Sequence, residues 1–210
     1  MRFTGTVRVL TALVALAIVA TGCTSGPAMP SVQMVPNLTP PPLGVRDTVY
    51  NPPMLAPALR LTDQDGHPFD LTTLRGSPVF VYFGYTHCPD VCPTTLADIR
   101  AAITTSGIPA KVVFVTIDPA RDTPAKMKTY LDFYAAGFIG LSGSDAEIAT
   151  AAKAWFVGYE KGPADANGNY PMTHTTQSYL VDGAGLLRNH IFFGAPTSLV
   201  VSILQTATGG

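Results

Sequence analysis

One stretch restricts the folds open to this chain more than any other: Val79 to Leu96, VFVYFGYTHCPDVCPTTL. Val79 to Tyr85 is a run of β-branched and aromatic residues and reads as a buried strand. The run breaks at Thr86-His87, and two thiols follow, Cys88 and Cys92, with Pro89 and Pro93 beside them. From Thr94 the pattern turns helical, with Leu96, Ile99 and Ile103 at spacings of three and four. Strand, thiol pair and helix in this order predict that Cys88 and Cys92 open the helix. There, free N–H groups and the macrodipole favour thiolate over thiol. Four residues apart, both sulfurs can face one point in space, which suits a soft metal ion or dithiol redox chemistry.

Around this stretch, strands and helices alternate. Leu59–Asp63 and His67–Leu71 read as a hairpin turning at Asp65-Gly66, and Lys111–Ile117 as a second buried strand. Thr123-Pro124 supplies a hydroxyl cap and a first-turn proline for a helix reaching Tyr134. Ser144 caps another helix, Asp145 to Phe156, and Gly158 to Tyr170 reads as an exposed loop. Gln177–Val181 and Leu186–Phe193 are strands joined at Asp182-Gly183, and Pro196 opens a last helix to about Gln205. This order predicts an α/β sandwich, a central sheet flanked by helices. The thiol pair at the helix start makes it thioredoxin-like, and the early hairpin and extra helix are peroxiredoxin-like elaborations. The predicted domain spans residues 58–210.

Two segments precede it. Arg2 and Arg8 flank a basic start, Val9 to Val19 is apolar, and Ala20-Thr21-Gly22-Cys23 closes the run. That is a secretory signal over residues 1–22, too short for the roughly 20 apolar residues of a spanning helix. A cysteine directly after the small residues resembles the bacterial lipoprotein signal, which implies cleavage before Cys23 and lipidation of its sulfur. Residues 23–57 are rich in proline, from Pro27 to Pro57, and read as an extended tether. The expected location is the extracytoplasmic face of the cell membrane, with the domain held by a lipid anchor. The net charge of −1 and the absence of a basic run argue against a nucleic-acid partner. With Cys23 consumed as a thioether, only Cys88 and Cys92 remain as thiols of the three cysteines. Outside the cytoplasm such a pair oxidises unless a metal or a reductant holds it.

Two thiolates alone make a poor Cu(I) site, and the four histidines are His67, His87, His174 and His190. His174 stands just before the third strand, and in a thioredoxin-like fold that junction lies beside the thiol pair. Two thiolates and one imidazole suit three-coordinate Cu(I), and Cu(II) with an added oxygen ligand. His87 is a candidate for lowering the Cys88 pKa, or an exposed neighbour. Asp90 is a candidate for tuning the thiols or meeting a partner. Asp118 either points to the sheet edge where such folds keep their sites or forms a turn with Pro119. Met172 reads as a gap-filler before a ligand. Trp155 reads as core, and His67 and His190 as surface or strand residues.

Tyr85-Thr86-His87-Cys88-Pro89-Asp90-Val91-Cys92-Pro93 resembles the signature of the Sco/SenC family of copper chaperones. The likeness extends to Asp118-Pro119-Ala120-Arg121-Asp122-Thr123-Pro124, to Gly140-Leu141-Ser142-Gly143, and to the histidine before the late strand. It implies a thioredoxin-like fold with copper ligands at Cys88, Cys92 and His174. It further implies delivery of copper to the binuclear CuA centre of cytochrome c oxidase subunit II, with other copper donors or thiol reductants as further partners. In the family an aspartate usually precedes that histidine; here it is Thr173, a change in what surrounds the imidazole. The competing expectation is an enzyme, a thiol-disulfide oxidoreductase using Cys88 and Cys92 on partner cysteines. The wider C-x3-C spacing counts against it.

Overall fold

The computed structural model describes residues 49–135 and 137–208. The predicted signal, Cys23 and most of the tether lie outside the described residues. The strands are β1 (Val49–Leu55), β2 (Arg60–Asp63), β3 (Pro68–Asp70), β4 (Val79–Gly84), β5 (Lys111–Thr116), β6 (Ile139–Ser142), β7 (Tyr159–Lys161), β8 (Met172–His174), β9 (Ser178–Val181) and β10 (Leu186–Ile191). The helices are α1 (Val91–Ser106), α2 (Pro124–Asp132), α3 (Asp145–Ala154) and α4 (Thr197–Thr208).

Eight strands form one sheet in the order β1-β10-β9-β4-β5-β6-β2-β3, while β7 and β8 pair separately. The uninterrupted apolar runs of β4 and β5 take the middle, because only a strand covered on both faces can hide every side chain. Each residue of β4 is buried, as is each of β5 after Lys111. β4 runs parallel to β5 and antiparallel to β9. α1 and α4 pack together, α4 also lies against β9 and β10, and α2 against β6. Phe80, Phe83, Phe114 and Trp155 have no exposure beyond 0%. At roughly 1.5–3 kcal/mol for each such side chain, they outweigh any single polar contact, so the site rides on a frame set by the core.

The central sheet with flanking helices appears as the sequence predicts, with four revisions. The domain does not start at Ala58: β1, inside the predicted tether, pairs antiparallel with β10. Pro52 and Pro53 cannot donate to a ladder, which hides a strand from a pattern reading and confines it to a sheet edge. The predicted loop Gly158–Tyr170 contains β7, whose residues Tyr159, Glu160 and Lys161 pair with His174, Thr173 and Met172. Three-residue strands with polar side chains carry too little alternation to be recognised. α2 stops at Asp132 rather than Tyr134, because the Tyr134 N–H turns back to Leu131 O at 3.0 Å. α3 stops at Ala154 rather than Phe156, where the backbone turns left-handed at φ 60.

Candidate metal and thiol site

The site hangs from the ends of three adjacent strands: the loop after β4, the loop after β5, and the segment before β9. The first loop is held by a carboxylate from the second. Asp122, 1% exposed, accepts the Thr86 N–H at 3.0 Å and the Thr86 hydroxyl at 2.6 Å. It also accepts the buried Thr116 hydroxyl at 2.6 Å. That fixes the chain one residue before His87 and two before Cys88.

The thiols sit differently from the expectation. Cys92 is in the first turn of α1, but Cys88 lies outside the helix, in the preceding loop. Its sulfur accepts the Cys92 N–H at 3.3 Å, so Cys88 occupies the place of a capping group before the helix N-terminus. Cys92 turns inward and is fully buried against β4. Tyr82 and Gly84 share a strand face there. The Tyr82 hydroxyl donates to Cys92 Sγ at 3.5 Å, and a Cβ on Gly84 would stand 3.0 Å from that sulfur. Glycine is what leaves room for the thiol.

Burial pushes the Cys92 thiol up to about 12, with smaller contributions from its neighbours. The prediction that the helix terminus makes both sulfurs thiolates therefore fails for Cys92. Desolvation disfavours the charged form, and its sulfur points into the core rather than at the free N–H groups. The Tyr82 hydroxyl is raised too, first by burial and then by the nearby thiols.

His174 ends β8. Its Nδ1 meets the Thr175 carbonyl at 2.8 Å, and since a carbonyl only accepts, Nδ1 carries the proton. The other nitrogen, Nε2, then presents its lone pair and stands 3.6 Å from Cys92 Sγ. Burial lowers the imidazole pKa, with the Thr175 carbonyl acting weakly the other way, so the ring is held neutral. The rings of Tyr82 and Tyr85 wall it edge-on at 6.1 and 6.0 Å.

A latch fastens the His174 segment to the loops after β4 and β5. The Tyr85 hydroxyl donates to Met172 O at 3.3 Å, and the Tyr170 hydroxyl donates to Asp118 Oδ1 at 2.7 Å. Arg121 pairs with Asp118, donates to Tyr170 O at 2.8 Å, and stacks 3.6 Å from the centre of the Tyr170 ring. Lys161 covers the same ring at 3.8 Å. Asp118 thus does more than form a turn with Pro119. Met172 is buried in β8, as a packing residue would be. The exposed His87 directs Nδ1 at Thr86 Oγ1 (3.2 Å) and Asp122 Oδ1 (3.5 Å). Asp90, also exposed, takes the Thr94 hydroxyl at 3.5 Å. Trp155 is core; His67 meets Asp63 in the hairpin turn, and His190 packs on Tyr50 and Phe192 in β10.

Two thiols and one imidazole lone pair are a soft donor set. Among the described residues, no three His, Cys, Asp or Glu side chains already stand at metal-binding distances. The structure presents a facing pair, Cys92 and His174, with the half-exposed Cys88 beside Cys92. The profile of the SCO1/SenC family matches residues 49–209. The chain belongs to the SCO1/SenC family. A protein of Stutzerimonas stutzeri named for copper binding is 42% identical to it over 142 residues, 64% of this chain and 68% of that one. An SCO2-like protein of Rickettsia felis is 34% identical over 149 residues, 69% of this chain and 73% of that one. The structure of Bradyrhizobium japonicum ScoI with copper bound superposes with a TM-score of 0.64 at 36% identity, covering 73% of this chain and 99% of that one.

Five residues of this SCO1/SenC site escape a reading of the sequence by single residues: Tyr82, Tyr85, Asp122, Arg121 and Tyr170. Asp122 left a usable signal. It is an acidic residue directly before a helix cap, in a chain with only 13% charged residues. Tyr82 left another, being polar-tipped within a strand that is otherwise apolar.

Proposed function

We propose that this chain is a membrane-anchored copper chaperone. It binds one Cu(I) between Cys88, Cys92 and His174 and passes it to the CuA site of cytochrome c oxidase subunit II. The observation that carries this reading is the facing pair of Cys92 Sγ and His174 Nε2, 3.6 Å apart, with the imidazole fixed in the tautomer that offers Nε2. Support also comes from relatives named for copper binding or solved with copper bound. Cys92 loses its proton as the metal enters, and His174 needs no deprotonation because burial already keeps it neutral. Cys88 swings from the Cys92 amide to complete the set. Being the more exposed sulfur, it is the ligand an incoming partner thiol displaces first. Cu(II) adds an oxygen ligand. Cleavage after residue 22 and lipidation of Cys23 anchor the chain to the extracytoplasmic face, with upstream copper donors and thiol reductants as further partners.

One observation favours a second reading, thiol-disulfide exchange: one thiol is half-exposed and the other buried. The Cys88 thiolate would attack a partner disulfide, releasing one partner thiolate and leaving a mixed disulfide. Cys92 would then attack the Cys88 sulfur and release the second, so two electrons pass to the partner and a Cys88–Cys92 disulfide remains. Copper stoichiometry and affinity under anaerobic reducing conditions separate the two readings. The test uses a form starting at Val49, where β1 begins, with Cys88→Ser, Cys92→Ser and His174→Ala variants. One tight Cu(I) per chain, lost or greatly weakened in all three, is expected. Tight binding that survives His174→Ala sinks the three-ligand site, and disulfide reduction without tight copper makes the chain an oxidoreductase.

A further inference from the structure

The end of the sheet opposite the thiols carries a pocket of its own. β4 begins there at Val79, paired with Val181 at the end of β9. Five strand steps of about 3.3 Å, roughly 17 Å, separate Val79 from Gly84 beside the Cys92 sulfur. The pocket holds about 210 Å³ and lies between the β1–β2 connection, the single 3-10 turn Leu71–Leu74 and the β9–β10 turn. Leu59, Leu71, Val79 and Val181, each at most 8% exposed, form its inner wall, and Leu55, 65% exposed, stands at its rim.

The walls are fixed by backbone hydrogen bonds between segments rather than by contact across the pocket. The Ala56 N–H donates to Gly185 O at 3.0 Å, the Leu71 N–H to Leu59 O at 3.1 Å, and the Gly76 N–H to Gly183 O at 2.9 Å. The pocket is therefore preformed, and a guest enters without having to order its walls.

The charged groups that line it differ in what they are committed to. Asp70 takes Arg60 at 2.7 Å together with the Thr72 N–H and hydroxyl at 2.9 and 2.8 Å. Asp182 takes Arg188 at 2.6 Å and the Leu186 N–H at 2.8 Å. Arg75 stands apart: among the described residues its guanidinium meets no carboxylate or carbonyl. Gly185, at φ 84, is what lets it lie against the wall, since a Cβ there would stand 3.3 Å from Arg75 Nε and 3.6 Å from Nη2. The two ion pairs cancel, and the pocket keeps one uncompensated positive charge over an apolar interior.

We propose that this pocket binds a small apolar monocarboxylate, its hydrocarbon body against the leucine and valine wall and its carboxylate on Arg75. Size favours one ring with a short acid arm: a dry apolar cavity of about 150 Å³ accepts benzene, and this one is larger. The planar guanidinium fork matches a carboxylate, and a bond between the two ions is stronger than one between neutral groups. The pocket shares no residue with the thiol and imidazole site, so the proposal stands independently of the copper reading.

The test places the full chain in lipid nanodiscs and measures binding of 4-fluorophenylacetate by ligand-detected ¹⁹F NMR, with empty nanodiscs as the blank. The neutral isostere 4-fluorophenylacetamide is titrated in parallel. For about ten heavy atoms the expected Kd of the acid is on the order of 0.1–1 mM, with the amide about tenfold weaker. Arg75→Gln, a change at an exposed position, is expected to weaken the acid about tenfold and leave the amide within twofold. Ala56→Phe, which puts a ring into the pocket, is expected to abolish both. No saturable binding of the acid by wild type up to about 10 mM overturns the proposal. So does binding that neither variant changes, which would place the probe elsewhere. Acid binding that Arg75→Gln leaves intact also overturns it, whatever Ala56→Phe does, because the carboxylate would then not be what is recognised.

Discussion

Replacing Asp122 by alanine removes one carboxylate from three donors and tests whether the loop before Cys88 is held as described. The Thr116 hydroxyl is fully buried and loses its acceptor, costing about 1–3 kcal/mol for an unsatisfied buried group. The Thr86 N–H and hydroxyl are half-buried, recover water in part, and lose about 1 kcal/mol each. The sum is about 3–5 kcal/mol, and at about 2–4 °C per kcal/mol for a domain of this size, Tm falls by about 6–20 °C. Urea unfolding reads it directly, because Trp155 is the one tryptophan of the chain and is fully buried. The midpoint should fall with the slope unchanged. Asp122→Asn keeps an acceptor oxygen but turns an NH₂ toward a donor, and should lose roughly half as much. A loss below about 1 kcal/mol in Asp122→Ala, at constant slope, would refute the reasoning.

Two pH dependences follow from the burial of Cys92 and His174. The folded Cys92 thiol keeps its proton up to about 12, while in the unfolded chain it ionises near the ordinary 9.0. Its stabilising contribution is complete below pH 9 and falls by about 1.4 kcal/mol per pH unit above it. Denaturant titrations at pH 8 and 10 should therefore show a loss in wild type that Cys92→Ser lacks, and parallel curves would contradict the burial argument. For His174 the sign reverses: its folded pKa is lowered, so between that value and the ordinary 6.5 the unfolded state binds the extra proton. Stability should decline as pH falls below 6.5, and His174→Gln should flatten that decline; equal slopes in both proteins would show the ring to be solvated.

What the sequence discloses and what it withholds divides along contact range. β4, β5 and the start of α1 are legible because their apolar runs and caps are local signals, and they suffice to bring the thiols to one end of the sheet. His174 is legible only through the fold, as the residue before a late strand. β1 is hidden by its prolines, and β7 and β8 by their brevity, since what makes them strands is pairing and not pattern. The thiolate expectation misses for Cys92 because burial is a tertiary quantity. Spacing places a sulfur near a helix start, but Tyr82 and Gly84 decide which way it faces. The Asp122 and Arg121 contacts are invisible for the same reason, joining segments 36 and 49 residues apart.

The antiparallel pairing of β9 with β4 also sets an order of events in time. In an unfolded chain the His174 imidazole lies 82 residues beyond Cys92, and closing that loop costs entropy. His174 comes to face Cys92 when β9 docks beside β4, about 4.8 Å away. At the proposed three-ligand site, high-affinity capture is thereby restricted to chains that have finished folding, and a copper ion bound there stabilises the finished fold by mass action. The register of two strands works as a maturity check on the cargo.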